Sequence, residues 1–585
     1  MERNGYLVEK KFYKYLIPSF LSEMAMHTGT VIDGVIVGNL LGIDALAAVA
    51  LGKPVIFLLQ IPGLILGLGG ATLAAILLGE RKREKASNMF SACIFSALIF
   101  SVAVGLSSFF VTEPLSKILS AGTALDAPVS EYLFIQILGL PTLSIALVTC
   151  EFLSVDNHPG LAAWMFTIAE IVHIGLDFLF IGYFDWGLSG AAAAGVIGNG
   201  VGLLVLVPYA RSKERMLNLY YAALHHLGTM WEAIKIGTPR ISLEVVQFLQ
   251  FFCLNTSIVY WLGDDAMGVY AVCTNTLFMA ELLAGGIISV IPNLCGVLYG
   301  DRDYFGIKKV VKGTVTLSSV LIIILTAVFF VMPEKIAMMF GLDDMSLMPV
   351  AKTCLEIYAL SFLPYIINEF LQVYYQTILQ AGIATLNTVL EGFVLLIPMS
   401  LVLMHFYGIY GVCAAVTLSE ILTIIIVEAY RKFGQDKGKF PQKGLLMIPD
   451  DTPDTFDYTI SGNIDESVKI SQKIIDYCKE RKIPDRIGNI LGIAAEEISV
   501  NISRYGYENT GRNFIDISLF EDEGKYILRI RDDGVHFDPT SYEPEEEKNY
   551  SVGGIQVVRK LATKLDYMRV LDMNNTIIEV DAEKN

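Results

Sequence analysis

Basic side chains are scarce where this sequence is apolar. The 585 residues include 43 lysines and arginines, yet the long apolar stretches hold only Lys53, Arg240 and Lys352, all near stretch ends. Acidic residues are not kept out in the same way. Glu23, Asp33, Glu151, Glu170, Asp177, Glu244, Glu281, Glu369, Glu391 and Glu420 all lie within apolar sequence. A carboxylate at a bilayer centre costs at least about 2.5–3.5 kcal/mol on insertion scales, so such residues point to function unless they reach an interface. Their excess favours cationic substrates, protons or Na⁺. Metal-centre cysteine patterns are missing too: the 8 cysteines form no Cys-x-x-Cys pair and no ligand spacing. They read as small buried hydrophobes. No Gly-rich loop ends in Gly-Lys-Ser/Thr, which argues against a P-loop pump. No small-residue cleavage site follows the first apolar run, so that run is expected to be a retained span. A net charge of −17, concentrated after residue 445, argues against nucleic acid as a partner.

What is present is apolar length. Stretches near 15–40, 52–78, 89–111, 131–153, 161–184, 188–210, 238–262, 270–298, 314–333, 350–377, 384–406 and 409–430 each suit the roughly 20-residue span a bilayer needs. Residues 11–210 and 232–431 repeat one another at an offset of 221 positions. Leu41-Gly42-Ile43-Asp44-Ala45 aligns with Leu262-Gly263-Asp264-Asp265-Ala266, Pro18 with Pro239, Glu23 with Glu244, Gly79 with Gly300, Arg81 with Arg302 and Glu170 with Glu391. Six spans per repeat leave both halves with one orientation, the parallel duplication in which transporters bind substrate between two lobes. Lys10, Lys11, Lys14, Arg81, Lys82, Arg83, Lys85, Arg211, Lys213, Arg215, Lys308, Lys309, Lys312, Arg431 and Lys432 all fall on one side of such a topology. That places both termini in the cytoplasm of a multi-pass plasma-membrane protein. The expected segments are a cytoplasmic N-terminus (1–14), an N-lobe (15–210), a linker (211–237), a C-lobe (238–431), a second linker (432–450) and a soluble domain (451–585).

Asp33 and Asp177 lie deepest in their stretches and are the first candidates for ion coupling or substrate binding. Glu170 and Glu391 follow as a repeat-related mid-span pair, with helix–helix hydrogen bonding as the alternative. Glu244 and Glu23 are also repeat-related. Glu23, Glu151 and Glu420 lie nearer the cytoplasmic ends, within reach of water. Glu281 and Glu369 find no place in the pattern. His173 sits four residues before Asp177, on the same helix face; a histidine beside a carboxylate titrates near neutral pH, and a histidine held by a neighbouring helix is the competing reading.

These residues sit in recognisable surroundings. Pro18 through Asp33-Gly34-Val35-Ile36-Val37-Gly38, the Leu41–Ala47 run, Gly67-Leu68-Gly69-Gly70-Ala71-Thr72 with Gly79, and Leu176-Asp177-Phe178-Leu179-Phe180 before Gly187-Leu188-Ser189-Gly190-Ala191-Ala192 resemble the multidrug and toxic compound extrusion (MATE) transporters. The resemblance covers about residues 10–432. It implies two six-helix lobes around a central cavity and export of organic cations or other amphiphiles driven by H⁺ or Na⁺, with Asp33 and Asp177 matching the two N-lobe carboxylates. The family usually has Asn where this chain has His173, and Thr where it has Gly195. Losing two oxygen ligands favours protons over Na⁺, with His173 and Asp177 as the titrating pair.

The last 140 or so residues alternate helical and strand patterns. Helices are expected over 467–481, 487–504 and 555–565, and strands over 514–520, 526–531 and 575–580. Together they give an α/β sandwich of helices on a mixed sheet. Three blocks in it fit nucleotide chemistry. Glu497 and Asn501 share one helix face, where a carboxylate can polarise a nucleophile and an amide oxygen can hold Mg²⁺. Asp532 can accept from an exocyclic amine, while Gly534 lets backbone approach a planar ligand. Gly553 and Gly554 open a helix whose N–H groups can receive phosphate. In order and spacing these blocks resemble the GHKL (histidine-kinase-like) ATPases, closest to the anti-sigma-factor serine kinases. That resemblance implies ATP under a lid at Tyr542–Ser551, Asn501 on Mg²⁺, Asp532 on adenine and Glu497 as general base. Gln556, where the family has a third glycine, and His536 depart from the pattern. The combined reading is a cation-coupled exporter with a cytoplasmic ATP-binding domain that regulates it or signals from it. A membrane sensor kinase acting on a small regulatory protein, and a lipid or glycan flippase, are the alternatives.

Overall fold

The computed structural model describes residues 3–41, 43–119, 126–212, 215–220, 227–339, 346–440, 444–449, 455–507, 513–522, 524–541 and 553–582. The chain divides into two compact units. One comprises Lys14–Arg302 and Val311–Leu445, the other Met1–Tyr13, Asp303–Val310 and Leu446–Asn585.

The first unit is helical. The first repeat supplies α1 (Tyr6–Leu41), α2 (Ile43–Gly79), α3 (Arg83–Leu119), α4 (Asp126–Leu138), α5 (Leu140–Val155), α6 (Pro159–Asp177), α7 (Gly187–Leu204) and α8 (Val207–Arg211). The second supplies α9 (Leu227–Leu262), α10 (Asp264–Ile288), α11 (Val290–Gly300), α12 (Tyr304–Val331), α13 (Pro333–Met339), α14 (Met348–Ala359), α15 (Phe362–Thr377), α16 (Ala381–Val389) and α17 (Leu396–Asp436). Among the described residues, eight helical runs are long and apolar enough to cross a membrane, and the α4–α5 pair, bent by 49° ahead of Pro141, makes a ninth. One of the eight, Ala381–Asp436, contains both of the last two expected stretches. They are divided at Gly408, whose φ of 59° and ψ of −139° no helix interior adopts. A multi-pass membrane protein follows directly.

The duplication is visible in the backbone as well as in the sequence. Left-handed residues recur at Arg81 (φ 64°) and Arg302 (φ 55°), and at Gly187 (φ 58°) and Gly408 (φ 59°), each pair at the sequence repeat's own offset. Where α2 crosses α11 the relation is reciprocal. A Cβ on Gly79 would lie 2.3 Å from the Val297 carbonyl oxygen, and one on Gly300 would lie 2.2 Å from that of Ile76. Only hydrogen fits between the two backbones, the small-residue packing on which membrane helices rely. Gly300→Val is therefore expected to eliminate folded protein, because overpacking against a backbone that cannot yield exceeds the usual cost of about 1–3 kcal/mol. Size-exclusion chromatography of a fluorescent fusion checks this; a monodisperse peak at wild-type yield would show that the close crossing is dispensable.

The second unit holds a five-stranded sheet, β1 (Phe456–Ser461), β2 (Phe514–Asp522), β3 (Lys525–Asp532), β4 (Lys564–Val570) and β5 (Met573–Asp581), in the order β1-β2-β3-β5-β4. Every pairing is antiparallel, so the expected mixed sheet is corrected. Three helices accompany it, α18 (Ile464–Glu480), α19 (Asp485–Tyr505) and α20 (Gly553–Leu561). The helix expected to reach residue 565 stops at Leu561, because Lys564–Val570 pairs with β5 as a strand. Period-2 alternation puts Ile460, Ile515, Ile517, Leu519, Leu528, Ile530 and Ile578 in one core with Ile470, Ile474, Leu491, Ala495 and Ile498 of the helices.

The opposite face of this sheet is polar, and it is buried. Asp516 (2% exposed), Arg529 (4%) and Arg531 (1%) line it. The N-terminal residues and the 303–310 segment cover it. Arg3 donates from Nε to Asp516 Oδ2 (2.9 Å) and from both terminal nitrogens to Asp303 (2.6 and 2.8 Å). Arg531 Nη1 reaches the same Asp303 (2.6 Å), while its Nε donates to Asn575 Oδ1 (2.8 Å). Burial alone would raise the Asp303 carboxyl, but the Arg3 and Arg531 guanidinium groups outweigh it and hold the group well below the usual range. Tyr6 packs on Phe514 with ring centroids 4.8 Å apart. Lys10 pairs with Asp533 at 2.5 Å.

Candidate functional site

Three polar clusters stand out. In the first repeat, Pro159 starts α6 where its missing N–H costs nothing, and the helix carries Glu170, His173 and Asp177 on one face. His173 Nε2 lies 3.4 Å from Asp177 Oδ2, and its Nδ1 lies 3.7 Å from Glu170 Oε1. Asp177 is fully buried, whereas His173 and Glu170 are partly exposed. Directly after Asp177 the helix widens into a π turn, Phe178–Tyr183, a distortion common at functional positions. Gly195 of α7 faces the imidazole: a Cβ there would stand 3.4 Å from His173 Nε2. Positions 173 and 195 are thus in van der Waals contact across α6 and α7. The backbones of Asp33 and Glu244 lie in α1 and α9, and their side chains lie outside those described.

In the second repeat the structure assembles a cluster whose membership the sequence did not disclose. Asn368 of α15 donates from Nδ2 to Glu420 Oε2 (2.7 Å) and to the Glu420 carbonyl (3.0 Å). Asn387 of α16 donates to Glu391 Oε2 (3.3 Å) and to the Asn368 carbonyl (3.2 Å). Glu420, Glu281 and Glu369 stand within electrostatic reach of Glu391, and all four within reach of Tyr365. Glu420, expected to reach cytoplasmic water, is 5% exposed and tied to Asn368; that expectation is corrected. Glu391 also lies in a π turn, Leu390–Val394. Glu170 and Glu391, paired in sequence, therefore head two separate clusters. Among the described residues, no group of three or more His, Cys, Asp or Glu has metal-holding geometry. Sequence reasoning listed the carboxylates but passed over the neutral Asn368 and Asn387 that bind them together.

The third cluster lies around α19, within the unit that contains the sheet. Asn501 Nδ2 donates to the Glu497 carbonyl (2.8 Å) and to Glu497 Oε1 (2.9 Å). Gly554, in the first turn of α20, is pressed against Glu497: a Cβ there would fall 1.9 Å from the carboxyl carbon. A side chain at 554 would have to displace the Glu497 carboxylate, which here packs directly on the Gly554 backbone. At the other end of α19, the Gly506 carbonyl accepts from Val535 N (2.8 Å). A Cβ on Gly534 would lie 2.2 Å from that carbonyl. Asp532 is 2% exposed, and its Oδ1 accepts from Gly534 N (2.8 Å) and from Asn574 Nδ2 (2.9 Å). Burial pushes the Asp532 carboxyl up to about 6, and those hydrogen bonds oppose the rise. Gln556 and His536 are both exposed, and the His536 ring packs on Tyr567 with centroids 5.7 Å apart. The proposed lid, Tyr542–Ser551, lies outside the described residues.

Comparisons place the helical part. The Staphylococcus saprophyticus protein named multidrug export protein MepA is 22% identical over 415 residues, covering 71% of this chain and 91% of that protein. The Staphylococcus haemolyticus protein of the same name is 23% identical over 425 residues, covering 72% and 93%. Among solved structures, MATE in complex with MaL6 superposes with a TM-score of 0.69 at 17% identity, over 75% of this chain and all of that one. The Vibrio cholerae MATE transporter VcmN in its bent form gives 0.67 at 19% identity, over 74% and 99%. These likenesses show the fold. The MatE family model matches twice, at residues 18–179 and 241–402, once in each repeat and together over more than half of the sequence. On those paired matches, the chain belongs to the MatE family.

Proposed function

We propose that the chain is a twelve-span, proton-coupled antiporter of the plasma membrane that exports organic cations or other amphiphilic compounds. Both termini lie in the cytoplasm, where an ATP-binding domain regulates transport. The carrying observation is the fully buried Asp177 with His173 and Glu170 on one helix face, opposite Gly195. The trio offers groups that exchange a proton and no ring of neutral oxygens, which supports H⁺ over Na⁺. The Asn368–Glu420–Glu391–Asn387 cluster supports a second protonation site in the C-lobe. The names of the staphylococcal relatives support a multidrug substrate range. Purified protein in liposomes tests this reading: an imposed pH gradient should drive uptake of a fluorescent organic cation, and an imposed Na⁺ gradient at equal pH should not. Uptake driven by Na⁺ alone would reverse the ion assignment.

For the tail, the convergence of Glu497, Asn501, Asp532, Gly534 and Gly554 on α19 supports a GHKL-type nucleotide site. Bound Mg·ATP would supply a phosphoryl group; Asn501 would hold the Mg²⁺, the Gly553–Gly554 N–H groups would receive phosphate, Asp532 would accept from adenine, and Glu497 would orient the nucleophile. Asn501→Ala removes the amide oxygen and should weaken Mg·ATP binding to the full chain at least tenfold, the value of roughly one charge-assisted contact. Equal affinity in the variant, measured by calorimetry, would remove Asn501 from the site.

A further inference from the structure

The sheet of the tail does two things on its two faces, and consecutive residues of one strand connect them. Arg531, Asp532 and Asp533 close β3 and its exit. Side chains alternate across a strand, so Asp532 points to the helix side, where Gly534 N and Asn574 bind it. Arg531 points to the polar side and holds Asp303 at 2.6 Å. Asp533 pairs with Lys10 at 2.5 Å. Asp303 immediately precedes α12 and caps it, accepting from Gly306 N at 2.9 Å. Lys10 lies in the second turn of α1. Arg3 closes the circuit, bridging Asp303 and Asp516. Both helices that start among these residues are long ones of the transporter: α1 runs on to Leu41 and α12 to Val331.

A solvated sheet face needs none of this. Charged side chains at 1–5% exposure on Arg3, Asp303, Asp516 and Arg531 are costly unless every partner is in place. The network is therefore either closed or broken, the two-state behaviour that a coupling element needs. We propose that Arg3, Lys10 and Asp303 form an ionic clasp on the polar face of the tail sheet, through which occupancy of the Asp532 pocket sets the first turns of α1 and α12 and so the transport rate. This inference rests on the nucleotide reading above. Its input is the ligand at Asp532, its conductor is the β3 end, and its output is the start of two transporter helices. By linkage, transport substrate must in turn alter ATP affinity by the same coupling factor.

The test uses the full chain in liposomes. Mg·ATP affinity and pH-driven uptake of a fluorescent organic cation, with and without saturating Mg·ATP on both sides of the membrane, are measured for wild type and Asp303→Asn. Expected for wild type is binding, with a change in uptake of about fivefold or more, the lower end of typical coupling. Expected for Asp303→Asn is ATP binding within about threefold of wild type and an uptake rate indifferent to ATP. Should that variant lose ATP binding through misfolding, Arg3→Ala, which leaves Asp303 paired with Arg531, takes its place with the same expectation. ATP control persisting in the variant overturns the clasp. Wild type that binds ATP without any change in uptake overturns it too and leaves the nucleotide site standing. Wild type that binds no ATP removes the nucleotide reading and the clasp's input together.

Discussion

Asp177→Asn is expected to abolish export driven by a pH gradient, with uptake into liposomes falling on the order of a hundredfold while equilibrium binding of the organic cation stays within a few fold. The reasoning starts from burial. Asp177 has no exposed surface, and its described ionic neighbour is His173 at 3.4 Å. An amide has nearly the same size and keeps the packing, yet it can neither take up nor release a proton. Loss of exchange with retained structure is therefore the predicted signature. A coupling free energy of about 3 kcal/mol corresponds to that hundredfold. His173→Asn combined with Gly195→Thr should do something different. The ring that faces Gly195 at 3.4 Å from the Cβ position is removed, two oxygen ligands enter beside Asp177, and Na⁺-driven uptake should appear. Robust pH-driven export by Asp177→Asn would sink the assignment. Transport by the double variant that stays strictly proton-driven would show that coupling is decided elsewhere, the cluster at Glu391 and Glu420 being the next place to mutate.

Much of this was legible before any coordinates. Long-range register between repeats survives because equivalent backbone demands recur, as the left-handed Arg81 and Arg302 or Gly187 and Gly408 show. The His173–Asp177 proximity follows from helical spacing alone. Helix α19 was readable because its apolar stripe faces one sheet. What sequence could not give was partnership between distant spans. Glu420 lies midway along the 409–430 stretch, and position along a span says nothing of a neighbour such as Asn368 that shields it. The strand β4 was not foreseen, and the expected helix ran over its first two residues, Lys564 and Leu565, because they continue an amphipathic run from α20. Its strand character comes from pairing with β5, a tertiary effect. Nor could local pattern reveal that Arg3 belongs beside Asp516, more than five hundred residues away. Charges that look solvated in a linear reading of β2 and β3 become a buried network only when the segment covering them is known.

Asp532→Asn should separate stability from binding in the tail. In the folded domain burial raises this carboxyl to about 6, against an ordinary value of 3.8. The folded state therefore binds the proton more tightly than the unfolded one. Its stabilising contribution is fully present below about 3.8 and is lost as pH rises through about 6. At pH 7.5 the ionised group costs the fold roughly 3 kcal/mol, some two pKa units at about 1.4 kcal/mol each. Asparagine keeps an oxygen for Gly534 N and Asn574 Nδ2, carries no charge, and escapes that cost. Hydrogen exchange of the β3 and β5 amides in the full chain, corrected for intrinsic rates, should show the variant better protected at pH 7.5 and indistinguishable from wild type near pH 4. Binding moves the other way. The amide presents N–H where adenine's exocyclic amine needs an acceptor, so Mg·ATP affinity should fall about ten- to a hundredfold, as for a lost hydrogen bond to a charged group. Wild-type affinity should itself decline as pH drops below about 6, because the nucleotide needs the ionised form, and the variant should lack that component. A variant that binds ATP normally would take Asp532 out of the site, whereas one that binds weakly but gains no protection would mean the carboxyl is not desolvated as its burial implies. Gain of stability with loss of ligand is the pattern expected of a residue kept for function against the interest of the fold.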